Sequence, residues 1–280
     1  MKVAVIGAAG AMGSFFTRYF HERGDEVVRS DIRRAKLRGA RVAPSAEAAA
    51  KSADVVLVAT PLMTTASVCR RVAARMRDGS LLVEISSVKG SALNEIKESA
   101  KRSRVRLLSI HPLFGPSLRR HRGMRIAVIA DAGAGALREA KRLFPEARLI
   151  PMNAEAHDAL MSVMLSLTHI VNIAYARVVS DTISPDSFRE IASPSFALQS
   201  ALAEGVLSQD PSLIADIQAA NHHTTLAVRG MALEILRLNE MLETGDKKAF
   251  YSEFGSLARL FSAGGSSMKK VYRAYEALVG

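Results

Sequence analysis

Cysteine is nearly absent from this chain: among 280 residues only Cys69 carries a thiol. An internal disulfide framework is excluded, and the composition fits a reducing, cytoplasmic setting. No Cys/His spacing suits zinc. His222 and His223 are adjacent on an expected helix, point in different directions and make a poor metal pair, so no metal is expected. Long hydrophobic runs are missing too. No unbroken stretch of about 18 uncharged apolar residues appears, so no transmembrane helix is expected. The opening MKVAVIGAAGAMG is broken by glycines and followed at once by a helical pattern, which fits a first β-strand better than a leader. Aromatics make up only 5% of residues, with no stacking or helix-turn-helix signature. The net charge of +11 is spread along the chain, so a nucleic-acid partner is not favoured; small anions suit such a surface equally well.

What is present is enough apolar residue, 49%, for a sizeable core in one or two domains. Up to about residue 150, apolar runs alternate with helical spacing. The runs Val3–Ile6, Glu26–Ser30, Asp54–Thr60, Leu81–Ile85, Arg106–Ile110 and Arg125–Ala130 read as strands. Met12–Arg23, Thr64–Arg77 and Ala92–Lys101 read as helices between them. Nearly continuous apolar strands alternating with helices predict a parallel sheet covered on both faces. After ARLIPMNAEAHD the pattern becomes helical only: Ala156–Val179, Ser187–Glu204, Ser212–Leu242 and Lys247–Leu278, punctuated at Asp181 to Pro185 and at Asp210-Pro211. The expected fold class is α/β, a doubly wound sheet over residues 1–151 followed by an all-helical domain over 152–280.

The stretch VAVIGAAGAMG joins a strand to a helix, with Gly7, Gly10 and Gly13 at intervals of three. Small residues there allow a tight turn and close backbone approach to a pyrophosphate at a helix N-terminus. The pattern is G-x-x-G-x-x-G, and its place in the first β-α turn gives it weight as a Rossmann-type dinucleotide site. Gly7, Ala9, Gly10, Ala11, Met12 and Gly13 are the candidate cofactor contacts. Asp31 ends the second strand, where a carboxylate accepts hydrogen bonds from both ribose hydroxyls of NAD. Arg33 and Arg34 offer partners to a 2′-phosphate, but Asp31 would repel that phosphate, so NAD is favoured and NADP stays possible.

Loops at the carboxyl ends of parallel strands line the binding crevice. Thr60 and Pro61 end one strand and read as cofactor wall or as a helix start. Ser86 and Ser87 end another and read as helix caps or, for Ser87, as a group facing nicotinamide or substrate. Lys89 reads as a solvated helix residue. In SIHPLFGPSLRRHRG, His111 is expected just after a strand. A neutral imidazole there accepts a proton from a hydroxyl as hydride leaves the same carbon. Pro112 and Pro116 stiffen its loop, and Arg119, Arg120 and Arg122 make a basic rim or an anion-collecting mouth.

Taken together, the glycine turn, ISSVKG, HPLFGP and EAHDALMSVMLSLTH, in that order, are similar to the prephenate and arogenate dehydrogenases of tyrosine biosynthesis. The resemblance covers residues 1 to about 200. It implies NAD-dependent oxidative decarboxylation of a small dicarboxylate substrate, prephenate or arogenate. It implies that His111 assists deprotonation of the ring hydroxyl, that Ser87 hydrogen-bonds beside it, and that His169 faces the substrate. His157-Asp158 matches the family's HD pair and reads as first-turn structure, with Asp158 suited to the helix dipole. Two departures stand out: Glu84 replaces the usual aspartate three residues before Ser87, and SFREIASPSFALQ replaces an arginine-rich segment, leaving Arg189 as the nearest candidate carboxylate ligand and the basic loop of Arg119, Arg120 and Arg122 as the alternative clamp.

Apolar positions around the later helices, as in MALEILRLNEMLE, point to a homodimer, as does the resemblance. Two other readings compete. A different two-domain reductase or hydroxyacid dehydrogenase would place a catalytic lysine in a Gly-rich helical segment, which is not seen. A non-catalytic nucleotide-sensing protein docking on nucleic acid would account for the charge and would bind with strong salt dependence.

Overall fold

The computed structural model describes all residues except 34–39, 119–120, 185–190, 263–267 and 280. The first half is a sheet of eight strands in the order β3-β2-β1-β4-β5-β6-β7-β8. The strands are β1 (Lys2–Ile6), β2 (Glu26–Ser30), β3 (Arg41–Val42), β4 (Val55–Val58), β5 (Leu81–Glu84), β6 (Arg106–Pro112), β7 (Arg125–Ile129) and β8 (Arg148–Met152). All neighbours pair in parallel except β6 and β7.

The apolar strands are buried on both faces, as the sequence pattern predicts. Val3 and Val5 of β1 point into one core with Phe15, Phe16 and Phe20 of α1 (Ala11–Glu22) and Leu143 of α5 (Ala136–Leu143). Ala4 and Ile6 point into the other. There they meet α2 (Ala46–Ala50), α3 (Leu62–Ala73) and α4 (Gly90–Arg102) through residues such as Val72 and Leu93. Helices on both faces of a mainly parallel sheet make the doubly wound α/β fold. Chain order reverses between β1 and β4, and the turns after β1, β2, β4 and β5 all lie at the sheet's carboxyl edge.

The structure departs from the sequence reading at several points. β3 and β8 are additional strands; β3 is two residues long, and β8 carries Pro151, so neither gives a clear apolar run. β6 runs to Pro112 because β7 pairs with it antiparallel, so His111 lies within the strand, opposite Ala127. The expected helix Ser212–Leu242 is two helices, Pro211–Ala220 and Thr224–Glu243. The break carries buried Asn221, whose side-chain amide donates to the Asp158 carbonyl at 2.8 Å. The expected Lys247–Leu278 is likewise Lys247–Ser262 and Met268–Val279.

The chain forms two compact units, Met1–Met161 with Asp216–His222, and Ser162–Ala215 with His223–Gly280. A continuous helical run opens with α6 (Ala154–Met161), passes through a π-helical segment at Ser162–Leu167 and continues as α7 (Thr168–Thr182). By length and composition this run is apolar enough to cross a membrane, with a mean hydropathy of 1.5 over its richest window. It holds no unbroken stretch of about 18 uncharged apolar residues, because polar residues such as Ser162, Ser166, His169 and Asn172 interrupt it. Four polar residues of the run, Ser162, Ser166, His169 and Asn172, are buried, while Val163, Met164, Ile173 and Val178 are exposed. Within the second unit Asn172 accepts from Gln199 at 2.9 Å, and Thr224 donates to Ser166 at 3.0 Å. Part of its polar surface thus faces inward while several large apolar side chains face out.

One packing constraint is directly testable. A Cβ at Gly13 would lie 2.1 Å from the Gly7 carbonyl oxygen, so Gly13→Ala has to push the first turn apart. Overpacking of this kind costs about 1–3 kcal/mol or more. The urea midpoint of Gly13→Ala should fall by a corresponding amount. Gly230→Ala, where a Cβ meets nothing within 4 Å, should be neutral or stabilising. Equal midpoints for Gly13→Ala and the parent would show that the turn yields.

Candidate active site

The glycine turn closes on backbone. Gly7 has φ +80°, and a Cβ there would lie 2.4 Å from the Ala59 carbonyl oxygen at the end of β4. Gly7 donates to Ser30 at 2.9 Å, which ties the turn to β2. Helix α1 begins at Ala11 with Gly10 as its N-cap, with no side-chain cap and no acidic residue in its first turn. Its first N–H groups are thus available to an anion, and no carboxylate opposes one. Ala11 is exposed, Ala9 and Met12 are half-buried, and Met12 leans on the core.

Asp31 turns back to this turn. Its carboxylate accepts from the Ala9 N–H and the Arg33 N–H, both at 2.8 Å, which leaves a second lone pair on each oxygen. Arg33 is mostly exposed, 3.6 Å from Asp31, and its guanidinium would touch a Cβ on Gly10. These residues fit a dinucleotide: a crowded glycine turn, an uncapped helix start and an acid at the end of β2. Thr60 is half-buried, its hydroxyl 3.2 Å from that of Thr65, and exposed Pro61 caps α3.

Lys89 is buried, not solvated. Its ammonium lies 2.7 Å from Glu84, and both side chains are essentially inaccessible. The ammonium also donates to the Ile110 carbonyl at 2.8 Å. Glu84 accepts further from the Ser109 hydroxyl, its partner across the β5–β6 register, and from Ser86. Burial alone would raise the Glu84 pKa; the Lys89 charge and these hydrogen bonds outweigh it and hold the carboxyl below its ordinary value. Burial, seconded by Glu84, pushes the Cys69 thiol pKa well up. Ser87, by contrast, is half-buried on the loop between β5 and α4.

His111 is buried and shares a hydrogen bond with another histidine: its Nδ1 lies 3.0 Å from His157 Nε2. His157 Nδ1 lies 2.7 Å from Asp158 Oδ1. Asp158 accepts in turn from the backbone N–H of Lys89 at 3.0 Å and of Gly90 at 2.7 Å. It therefore caps α4 from a distance and does not serve its own helix dipole, which corrects the expectation from sequence. Burial, then the Lys89 charge, then His157 push the His111 pKa well below 6.5. Burial raises the Asp158 pKa, but His157 and the two backbone donors more than reverse this.

Ser87 and His111 stand at the carboxyl edge of the sheet, as do the glycine turn and Thr60. The HD pair was visible in the sequence, but its contact with His111 was not, because 46 residues separate the two histidines. Within the second unit, His169 is buried and burial lowers its pKa. Arg189 lies outside the described residues, as do Arg34, Arg119 and Arg120; Arg122 is exposed.

Comparison with known proteins adds a second line of observation. Residues 24–127 match the family description "Prephenate dehydrogenase, nucleotide-binding domain", and residues 153–256 match "Prephenate dehydrogenase, dimerization domain". A 4-amino-4-deoxyprephenate dehydrogenase of Streptomyces pristinaespiralis is 27% identical, over 96% of this chain and 94% of its own length. A probable arogenate/prephenate dehydrogenase of Methanocaldococcus jannaschii is 25% identical over 94% of this chain, which spans 61% of that protein. In fold, the chain is similar to prephenate dehydrogenase from Aquifex aeolicus, solved with hydroxyphenyl propionate and NAD+. That likeness has a TM-score of 0.74 and 17% identity, and covers 93% of this chain and 97% of that one. With both domains matched in order, the chain belongs to the prephenate dehydrogenase family.

Proposed function

We propose that this chain carries out the NAD-dependent oxidative decarboxylation of a prephenate-type ring, prephenate or arogenate, with His111 as the base. Residues 1–151 serve the dinucleotide and 152–280 the substrate and the dimer contact. The observation that carries the reading is His111 itself: a buried imidazole on β6, at the carboxyl edge of a nucleotide-binding sheet, in surroundings that disfavour its protonation. NAD, when bound, supplies the hydride acceptor. The glycine turn and the first turn of α1 would hold its pyrophosphate, and Asp31 its ribose diol. His111 receives the ring hydroxyl proton as the carbinol carbon becomes carbonyl-like. Ser87, half-buried on the loop after β5, is the proposed hydrogen-bonding group beside that base, and His169 and Arg189 are the candidate substrate contacts. Loss of the ring carboxylate as CO2 then completes aromatisation.

The proposed assembly is a homodimer built from the helical half. The exposed apolar side of α7, with Leu233, Leu236, Phe254 and Phe261 on later helices, is surface that a partner copy would cover. Light scattering at micromolar concentration should give twice the chain mass, 30.1 kDa; a stable monomer would remove this part.

For the chemistry, His111→Asn should lower kcat by about two orders of magnitude or more and leave NAD affinity nearly intact. In the parent, kcat should decline only below pH 6.5, since burial, Lys89 and His157 all oppose the imidazolium. That acid limb should vanish in the variant. Near-normal turnover of His111→Asn would move the base elsewhere, with His169 next to test. The assay panel includes prephenate, arogenate and 4-amino-4-deoxyprephenate, because the relative named for the last matches this chain nearly end to end.

For the cofactor, Asp31→Ala should raise the KM for NAD and relax the preference toward NADP. A parent enzyme that strongly prefers NADP would overturn the role given to Asp31.

A further inference from the structure

The hydrogen bonds from His111 to Asp158 fix more than a position. Asp158 is held as a carboxylate by the backbone N–H groups of Lys89 and Gly90. It can only accept, so His157 Nδ1 must carry a proton and donate to it across 2.7 Å. A neutral His157 then has a bare Nε2. The 3.0 Å contact requires His111 Nδ1 to be the donor, which leaves the acceptor lone pair of His111 on Nε2.

The charges around the two rings differ. The Lys89 ammonium, paired with Glu84, bonds the Ile110 carbonyl, the residue next to His111, and opposes positive charge on that ring. His157 lies against the Asp158 carboxylate and is wholly buried. A proton arriving at His111 is therefore better placed one ring further back.

We propose that His157 is the second half of the base: it sets the tautomer of His111 and accepts the His111 Nδ1 proton as His111 Nε2 takes one from the substrate. The step balances. The substrate O–H bond breaks and an N–H bond forms at His111 Nε2; the Nδ1–H bond of His111 breaks and an N–H bond forms at His157 Nε2. One proton enters the pair, His111 ends neutral, and His157 carries the charge beside Asp158. The electron pair of the substrate C–H bond leaves as hydride to the nicotinamide of the proposed activity. His157 is thus a positioning residue that acts through His111, and its role rests on His111 being the base.

Nitrogen NMR of the histidine-labelled protein without substrate tests this independently of turnover. At neutral pH, both rings should show a protonated Nδ1 and a bare Nε2. At that pH a His111 protonated at Nε2, with its Nδ1 bare, would overturn the proposal. The kinetic arm uses His157→Gln, whose amide oxygen can still accept from His111 Nδ1 but cannot take a proton. Its kcat should fall about ten- to hundredfold with KM unchanged. Parent-like kcat would sink the relay. Near-normal turnover of His111→Asn would instead sink the base assignment, so the two failures are distinguishable. If His157→Gln does not fold, the NMR of the parent decides alone.

Discussion

The buried Lys89–Glu84 pair is the constraint on which the site depends. Its ammonium grips Glu84 and the Ile110 carbonyl, while the backbone N–H of the same residue grips Asp158. Asp158 holds His157, His157 holds His111, and His111 follows Ile110 in β6. The contacts close into a ring that passes through β5, β6, α4 and α6. Taking two charges out of water is expensive, and a pair like this stabilises a fold only weakly. What it gives here is placement: removing either charge would leave the other buried and alone, and would release the strand that carries His111.

The same ring explains how a parallel sheet presents His111. β5 and β6 pair in parallel, which puts Glu84 opposite Ser109 and brings their polar ends together at the carboxyl edge. Antiparallel β7 then extends β6 by two residues, so His111 is held by strand pairing as well as by side chains. The glycine turn is fixed by a different force, steric exclusion: at Gly7 and Gly13 backbone oxygens occupy the space a methyl would need.

Much of this was legible in the sequence, for local reasons. The alternation of apolar runs and helices marked the doubly wound sheet, and Gly7, Gly10, Gly13 and Asp31 stood where strand ends place them. His111 was singled out because a histidine before proline at a strand end is chemically conspicuous. Lys89 was misread, since nothing local shows that a lysine four residues past a strand turns inward to a glutamate. His157 and Asp158 were seen but taken as helix-start residues; their partners are 46 and 69 positions away. The break at Asn221 was missed because no proline or glycine marks it, only a side chain that bonds a distant carbonyl.

The lone thiol lies near the same buried carboxylate. Cys69 is inaccessible on α3, and burial with Glu84 keeps it protonated at neutral pH. Alkylating agents and mild oxidants need a thiolate within reach, and here they find none. A cysteine placed anywhere on the surface would therefore be the sole reactive thiol, so a fluorophore or spin label would attach at one chosen position without first removing the native residue.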